Sequence, residues 1–336
     1  MTPGAPARIL AVRQGRAGDL VMLTPALRLL LDAFPGAELD LWTSAEGPRV
    51  LRGFDPRLAR LWVDPRRFPA AWFARASRGR ELRAAGYERI YVFETHPRYG
   101  SLLREAAPAI FAMARRDGLS PRHFSDRCLD LVEASLSAPL PRPWASLPVS
   151  DAGRAAADAY LAAHGLTGKE PLVGLHLTYS ESARGLFAGR RGRKHRAWSM
   201  AEAARLARML AEPGRGVRPV IDVLPEERAL LAPFLERAGD AVTVLGGPQD
   251  FERYKALLAR LALLVSPNTG PMHVAAAVGT PVVALFSGWD PAECGPFVPP
   301  ARVRILRAED TATPARGLAA IGADSVYAAC LELLPA

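Results

Sequence analysis

Lysine, cysteine and long apolar runs are scarce in this chain of 336 residues, and two of these scarcities exclude classes of protein. Cys128, Cys294 and Cys330 are far apart and form no Cys-x-x-Cys pair, so neither a zinc site nor a disulfide framework is predicted. No stretch approaches the roughly 18 consecutive apolar residues of a membrane span. No signal peptide is expected either, and the predicted location is the cytoplasm.

The formal net charge of +9 is carried almost entirely by arginine, because Lys169, Lys194 and Lys255 are the lysines of the chain. A charge of this sign favours acidic substrates or an anionic membrane surface. A basic enzyme is a commoner case than a nucleic-acid binder, so no nucleic-acid partner is predicted. Hydrophobic residues make up 49% of the chain, enough for a sizeable core, and this excludes a disordered protein.

Strand and helix signals alternate along the chain and predict an α/β protein. Residues 8–13 predict a strand, leucines at helical spacing predict a helix from about residue 20 to 34, and residues 38–43 predict the next strand of a βαβ unit. Further strands are predicted at 60–63, 89–94, 109–113, 172–177, 218–223, 242–245, 261–265 and 282–286.

A proline-dense stretch at 138–148 predicts a linker between two similar halves. The predicted organisation is two Rossmann-like, doubly wound domains at 1–145 and 146–320. A C-terminal segment at 321–336 is predicted to be helical, and packing on the N-terminal domain is one option for it.

The stretch at 266–273, Ser-Pro-Asn-Thr-Gly-Pro-Met-His, has the features of a phosphate-binding turn and follows a predicted strand. Thr269 suits a helix N-cap, Gly270 permits a close turn, and Pro271 suits the first helical turn. The result is a helix N-terminus at the carboxyl end of a strand, where open α/β sheets bind ligands and backbone N–H groups attract phosphate. From these residues alone, a ligand-free helix start and a structural His273 remain alternatives.

Two motifs far apart in the chain match one family pattern. The first comprises residues 8–13, the Gly-Asp of 18–19, the Thr-Pro-Ala-Leu of 24–27 and residues 34–41. The second is the 266–273 turn, continued by Phe286, Asp-Pro at 290–291 and Gly-Pro-Phe at 295–297. Together they resemble glycosyltransferase family 9, the ADP-heptose:lipopolysaccharide heptosyltransferases.

This resemblance implies a GT-B fold, with two Rossmann-like domains facing a central cleft. The sugar acceptor is expected mainly on the first domain and the nucleotide-sugar donor mainly on the second. Transfer with inversion needs a base for the acceptor hydroxyl and a site that stabilises the departing diphosphate. Asp19 matches the family's acidic residue and is predicted to be the base, with Gly18 and Arg16 predicted to bind the acceptor. The residues alone favour Asp19 as a helix cap, and the two roles are compatible.

Donor-binding residues are predicted at several places in the second half. The diphosphate is expected on backbone amides of the 266–273 turn. The arginine- and glycine-rich segment 184–196 is either a mobile lid over the diphosphate or a solvated loop. The glutamates at 226–227 either bind the ribose hydroxyls or pair with a helix dipole. The predicted donor site comprises Thr178, Lys194, Arg196, Glu226, Glu227, Asn268, Thr269, Gly270, Met272 and His273.

No cofactor or metal is expected, because helix amides and basic side chains can carry the phosphate charge and no Asp-x-Asp cluster is present. The predicted function is therefore metal-independent, inverting transfer of a heptose or related sugar to a lipopolysaccharide-core or other cell-surface glycan. ADP-heptose is the favoured donor, and the acceptor is expected to be an acidic glycolipid or glycan reached by peripheral contact with the inner membrane.

Some positions depart from the family pattern, and two other hypotheses stay open, one suggested by these departures and one by the shared two-domain scaffold. Asn268 stands where the family usually has Asp, and Ser199 stands where it has Pro. Because these changes cluster around the donor, the identity of the nucleotide and sugar stays open. The alternatives are a non-catalytic or divergent nucleotide-sugar-binding protein and a nucleotide-sugar epimerase. An epimerase would need paired acid and base groups near the sugar, and Asp19 is a single candidate.

Overall fold

A computed structural model describes residues 6–64, 70–114, 121–168, 170–178, 197–248 and 250–334. The chain divides into two units, Met1–Pro148 and Val149–Ala336. This division falls close to the domain boundary predicted between residues 145 and 146. Each unit contains a wholly parallel sheet with helices between its strands, so the predicted α/β class is confirmed.

The first unit is built on a five-stranded sheet with strand order β3-β2-β1-β4-β5. Its strands are β1 (Arg8–Arg13), β2 (Glu38–Thr43), β3 (Leu58–Val63), β4 (Arg89–Val92) and β5 (Ala109–Ala112). Its helices are α1 (Ala17–Ala33), α2 (Gly47–Val50), α3 (Ala70–Ala84), α4 (Arg98–Leu103) and α5 (Phe124–Glu133).

The centre of this sheet is buried on both faces, as the continuous apolar run in β1 requires. The four residues from Ile9 to Val12 are at most 1% exposed. Helix α1 covers the sheet although it contains Pro25, which has no N–H to donate to the carbonyl of Val21. The hydroxyl of Thr24 donates to that carbonyl at 2.7 Å. The Thr24 hydroxyl therefore replaces the N–H that Pro25 lacks as the donor to the Val21 carbonyl.

The second unit is built on a six-stranded sheet with strand order β11-β10-β9-β6-β7-β8. Its strands are β6 (Leu172–Leu175), β7 (Arg218–Val223), β8 (Thr243–Gly246), β9 (Leu263–Pro267), β10 (Val282–Phe286) and β11 (Val303–Arg307). Its helices are α6 (Asp151–Ala163), α7 (Met200–Leu210), α8 (Arg228–Ala238), α9 (Phe251–Arg260), α10 (Gly270–Ala277), α11 (Pro291–Cys294) and α12 (Ala323–Leu333).

The C-terminal helix α12 belongs to this second unit, where it packs against α7 and strands β9, β10 and β11. Its buried face, with Val326 and Cys330 fully enclosed, is part of the core that includes Trp198. Glu202 accepts a hydrogen bond from the backbone N–H of Ala323 at 2.7 Å and so holds the start of the helix. The packing that the structure gives for segment 321–336 is therefore on the second unit, unlike the option considered from the sequence.

Both sheets contain a point where the order of the strands reverses. In the first unit it lies between β1 and β4, and in the second between β6 and β9. The loops that leave the carboxyl ends of two such strands turn to opposite faces of the sheet, which leaves a crevice where doubly wound proteins bind ligands. The Gly-Asp motif follows β1 and the 266–273 turn follows β9, so each sequence motif lies at the reversal point of its own sheet.

Candidate active site

The 266–273 turn forms as the sequence predicts, with α10 beginning at Gly270 directly after the buried strand β9. Asn268 donates its backbone N–H to the carbonyl of Leu285 in β10 at 3.1 Å, which fixes the turn to the sheet. The side chain of Met272 is fully buried and that of His273 is 4% exposed. Both side chains therefore face the protein interior, and Met272 can contribute to a ligand site only through its backbone.

Thr269 occupies the N-cap position of α10, but its side chain makes no capping hydrogen bond. Its hydroxyl lies instead 3.2 Å from the carbonyl oxygen of Pro267 and 3.2 Å from the hydroxyl of Ser266. In an α-helix the N–H groups of the N-cap and the first three residues have no partner within the helix. Since Pro271 has no N–H, the donors at this end are Thr269, Gly270 and Met272, and they are not covered by the N-cap side chain.

His273 is the fourth residue of α10, so its backbone N–H is the first that the helix itself can pair. Of the backbone N–H groups that the sequence suggested for a diphosphate, those of Thr269, Gly270 and Met272 therefore remain as candidate donors. Asn268 is half-buried and donates its side-chain amide to the sulfur of Cys294 in α11 at 3.5 Å. This hydrogen bond links Asn268, which departs from the family pattern, to helix α11.

Strand β6 supplies the other side of the reversal point in the second unit. Thr178, three residues past its end, is 3% exposed, and His176 donates its backbone N–H to Val265 of β9 at 2.9 Å. Loss of solvation lowers the pKa of His176 to about 4, against a smaller opposing effect of a hydrogen bond with the Thr178 backbone. The ring is therefore neutral at physiological pH and adds no charge to the site.

Glu226 and Glu227 lie after β7, the neighbour of β6, in a single 3-10 turn that precedes α8. Glu226 is exposed, whereas Glu227 accepts the backbone N–H of Leu224 at 3.2 Å. Glu227 thus has the helix-start role that was the alternative to ribose binding. No contact of Glu226 within the described residues argues for or against ribose binding, which stays a prediction. Lys194, Arg196 and the rest of segment 184–196 lie outside the described residues.

Asp19 lies in the first turn of α1, because that helix begins at Ala17 and not near Leu20 as the sequence suggested. One carboxylate oxygen accepts the backbone N–H of Arg16 at 2.9 Å, and the other pairs with the guanidinium of Arg13 at 2.9 Å. Asp19 is therefore not the N-cap considered from the sequence, because Arg16 holds that position; Asp19 is the third residue of the helix, and its carboxylate accepts the N–H of the N-cap residue. The side chain is still 34% exposed, so the carboxylate is accessible to a ligand.

Gly18 and Arg16 lie beside Asp19 in the chain, with Gly18 buried in the first turn of α1 and Arg16 exposed at its N-cap. Their contact with an acceptor stays a prediction.

Arg13 and Glu94 join Asp19 in a charged cluster that the sequence did not reveal. Glu94 follows β4, the strand across the reversal point from β1, and its carboxylate lies 3.4 Å from the Arg13 guanidinium. The same carboxylate accepts the backbone N–H of Gln14 at 2.7 Å. Burial raises the pKa of Glu94, with Arg13 opposing that shift and the charge of Asp19 adding to it.

Gly15 permits this cluster to form, because a Cβ at that position would lie 2.5 Å from the Cβ of Asp19. We expect Gly15→Ala to displace the Asp19 carboxylate. If Asp19 is the base predicted from the sequence, the rate of sugar transfer falls by about 10–100-fold, since small misplacements of a reacting group are costly. Binding of nucleotide by the second unit should stay unchanged. Steady-state kinetics, with calorimetric titration of ADP, checks this expectation.

Gly36→Ala is the matched control, because no atom lies within 4 Å of a Cβ added there. If Gly15→Ala reacts at the rate of Gly36→Ala, the close packing of Gly15 on Asp19 has no bearing on activity.

Two kinds of feature were not found among the described residues. No helix within the described ranges has both the length and the apolar character that crossing a membrane requires. Across the same ranges, no group of three or more His, Cys, Asp or Glu side chains is placed to hold a metal ion.

The fold of the two units and the places of the two motifs are now described, and comparison with known proteins identifies the family. The family model described as glycosyltransferase family 9 (heptosyltransferase) matches residues 79–317. The chain therefore belongs to glycosyltransferase family 9.

Solved structures of this family share the fold across nearly the whole chain. A family 9 glycosyltransferase from Veillonella parvula superposes with a TM-score of 0.81 at 20% identity, covering 97% of both chains. The E. coli heptosyltransferase WaaC with ADP gives 0.71 at 21% identity, covering 97% of this chain and 99% of WaaC. The structure of WaaC with ADP-2-deoxy-2-fluoro heptose gives a TM-score of 0.69 at 21% identity, again covering 97% of this chain and 99% of WaaC. The predicted GT-B class, with two Rossmann-like domains, is confirmed.

A shorter stretch resembles a curated protein in sequence. The chain is 33% identical over 55 residues to the lipopolysaccharide core heptosyltransferase OpsX of Haemophilus influenzae. The match spans 16% of this chain and 16% of OpsX.

Proposed function

We propose that this glycosyltransferase transfers a heptose, or a closely related sugar, from ADP-heptose to the core of lipopolysaccharide or another cell-surface glycan. The observation that carries the proposal is the pair of motifs at the two reversal points: an accessible carboxylate after β1 and an uncapped helix N-terminus after β9. Membership of family 9 supports sugar transfer, and the complexes of WaaC with ADP and a fluorinated ADP-heptose support this donor.

In the proposed reaction the acceptor hydroxyl attacks the anomeric carbon from the face opposite the diphosphate. The new bond forms between the acceptor oxygen and that carbon, while the bond from the carbon to the phosphate oxygen breaks. The proton passes to the Asp19 carboxylate, and the electron pair of the broken bond leaves with ADP. The configuration at the anomeric carbon is inverted.

The backbone N–H groups of Thr269, Gly270 and Met272 are proposed to receive the negative charge that develops on the departing diphosphate. They lie at the positive end of the α10 dipole and need no rearrangement during the reaction. No metal is part of this proposal, because the charge is met by fixed dipoles and by the arginines of the chain, and the sequence has no Asp-x-Asp pair.

The proposed acceptor is acidic, because the chain has a net charge of +9 carried by arginine, whose planar fork binds phosphate and carboxylate groups. The lipopolysaccharide core fits this description, and the sequence similarity to OpsX supports it. We propose that the reaction takes place in the cytoplasm, at a peripheral contact with the inner face of the inner membrane.

A thermal-shift panel with ADP, UDP, GDP and ADP-heptose tests the donor. At a ligand concentration 100 times the dissociation constant, binding stabilises the folded state by about 2.7 kcal/mol, which is a clear rise in melting temperature. We expect this rise with ADP and ADP-heptose and little with UDP or GDP. A rise with UDP or GDP alone would replace the donor, and no rise with any of the four ligands would contradict the proposed function.

A further inference from the structure

The loop 287–290 follows strand β10 and contains Trp289, at the edge of the sheet where the candidate diphosphate site lies. Strand β10 runs parallel to β9, with Leu285 beside Pro267, so the chain leaves both strands at the same edge. The 266–273 turn follows β9, and the loop 287–290 leads from β10 into α11. The loop and the turn are therefore neighbours within the second unit.

Two hydrogen bonds join this loop to the turn. The side-chain amide of Asn268 donates to the sulfur of Cys294 in α11 at 3.5 Å. The thiol of Cys294 in turn donates to the backbone carbonyl of Asp290 at 3.5 Å. Asp290 directly follows Trp289 in the chain and is the N-cap of α11. Trp289 is thus linked to the candidate diphosphate site through the start and the end of one short helix.

The backbone on both sides of Trp289 is fixed. Gly288 has a φ of 69°, a left-handed conformation that favours glycine, and its N–H donates to the carboxylate of Glu309 at 2.7 Å. The carboxylate of Asp290 accepts the N–H of Ala292 at 2.9 Å. The point at which the indole leaves the chain is therefore defined before any ligand binds, which lowers the entropic cost of a contact with the ring.

Trp289 is 51% exposed, the largest exposed fraction among the large hydrophobic side chains of the described residues. Single exposed apolar residues are common, so exposure alone does not indicate a binding site. Trp289 has two further features: its backbone is fixed, and its loop adjoins a turn whose backbone donors are not covered by the N-cap side chain. An accessible aromatic face thus lies beside a candidate phosphate site.

The strand order indicates which part of a nucleotide-sugar reaches this ring. The crevice at the reversal point lies between β9 and β6, on one side of the turn, and β10 lies on the other side. Under the proposed function, the diphosphate binds at the start of α10 and the nucleoside extends into the crevice toward β7, where Glu226 is the predicted ribose contact. The sugar, at the opposite end of the diphosphate, then extends toward β10 and Trp289.

We propose that Trp289 binds the sugar of the donor, with the face of its indole packed against C–H groups of the sugar ring. The face of an aromatic ring is its negative side, and C–H groups on carbons that bear oxygen carry a partial positive charge, so they attract one another. This inference rests on the proposed function, because it takes the ligand to be a nucleotide-diphosphate sugar. It adds a residue that distinguishes the sugar-bearing donor from the bare nucleotide.

The test compares ADP with ADP-heptose, because only the second ligand carries the sugar. Calorimetric titration without acceptor gives both dissociation constants for the wild type, Trp289→Leu and Trp289→Tyr. Leucine keeps apolar bulk without an aromatic face, so we expect Trp289→Leu to raise the dissociation constant of ADP-heptose by about 5–10-fold. Its ADP affinity should equal that of the wild type, which also shows that the second unit is folded. Tyrosine keeps an aromatic face, so Trp289→Tyr should retain most of the affinity for ADP-heptose.

Trp144→Leu is the matched control, because Trp144 is 46% exposed and belongs to the first unit. It should leave both constants unchanged. Wild-type affinity of Trp289→Leu for ADP-heptose overturns the inference. Equal weakening of ADP and ADP-heptose also overturns it, since the ring would then act on the nucleotide and not on the sugar.

The wild type tests the proposed function in the same experiment. If it binds neither ADP nor ADP-heptose, the proposed function fails and the inference fails with it. If it binds both ligands and Trp289→Leu binds them equally well, the inference alone fails, so the two failures are distinguishable.

Discussion

Asp19→Asn is expected to lower kcat for sugar transfer by about 10²–10⁴-fold, the usual contribution of a positioned general base. The amide oxygen of asparagine can still accept the N–H of Arg16 or the guanidinium of Arg13, so the fold and the helix start should be retained. ADP affinity should not change, because the donors proposed for the diphosphate are backbone groups of α10 in the second unit. Transfer kinetics and calorimetric titration of ADP give the two readouts.

Asp32→Asn is a suitable control because it changes the same residue type in the last turn of the same helix, on an exposed position. It should transfer at the wild-type rate. If Asp19→Asn remained within about threefold of this control, Asp19 would not be the base. If it lost ADP binding as well as transfer, its proposed role would be misassigned.

Gly270→Pro is expected to raise the dissociation constant of ADP by about 10–100-fold. The change removes one of the N–H donors proposed for the diphosphate, and hydrogen bonds to charged groups contribute about 1.5–3 kcal/mol. Proline is tolerated at the first helical position, and Thr269 already has the extended backbone, with φ of −141° and ψ of 170°, that a following proline demands. The folded state should therefore persist, as circular dichroism can verify.

Gly270→Ala separates the loss of the donor from the effect of added bulk, because alanine keeps the N–H and adds only a methyl group. We expect its ADP affinity to stay close to that of the wild type in the same titration. Equal weakening in both variants would mean that the space at residue 270, and not its amide, matters for binding.

The turn at 266–273 was predictable because its signals are local. A buried strand, a glycine for a close approach and a proline for the first helical turn all lie within a few residues of Gly270, and α10 begins there. The direction of the Thr269 hydroxyl was not predictable. It depends on the carbonyl of Pro267 and the hydroxyl of Ser266, whose positions follow from the bend of the chain.

The partners of Asp19 could not be predicted, because they depend on which strands become neighbours. Glu94 lies 80 residues from Gln14, and the two are joined only because β4 pairs with β1. The early start of α1 was missed for a different reason. Arg16 occupies the N-cap, where Ser, Thr, Asp or Asn would have marked the boundary.

Strand β11 was missed because charged residues interrupt it. Arg304 and Arg307 lie within its five residues, which lowers the apolar signal on which the prediction relied. It is the edge strand next to β10, and charged side chains are common on edges because they discourage pairing with a second molecule. Its neighbour β10, by contrast, consists of apolar residues alone and was recognisable from them.

The uncapped start of α10 has a consequence for the stability of the protein without its substrate. A side-chain cap at a helix N-terminus contributes about 1 kcal/mol, and the hydroxyl of Thr269 does not supply it. A side chain that capped these backbone amides would stabilise the protein without substrate. The same side chain would compete for these donors with the diphosphate that we propose to bind there. Under the proposed function, stability of the free protein and turnover therefore place opposite demands on this turn.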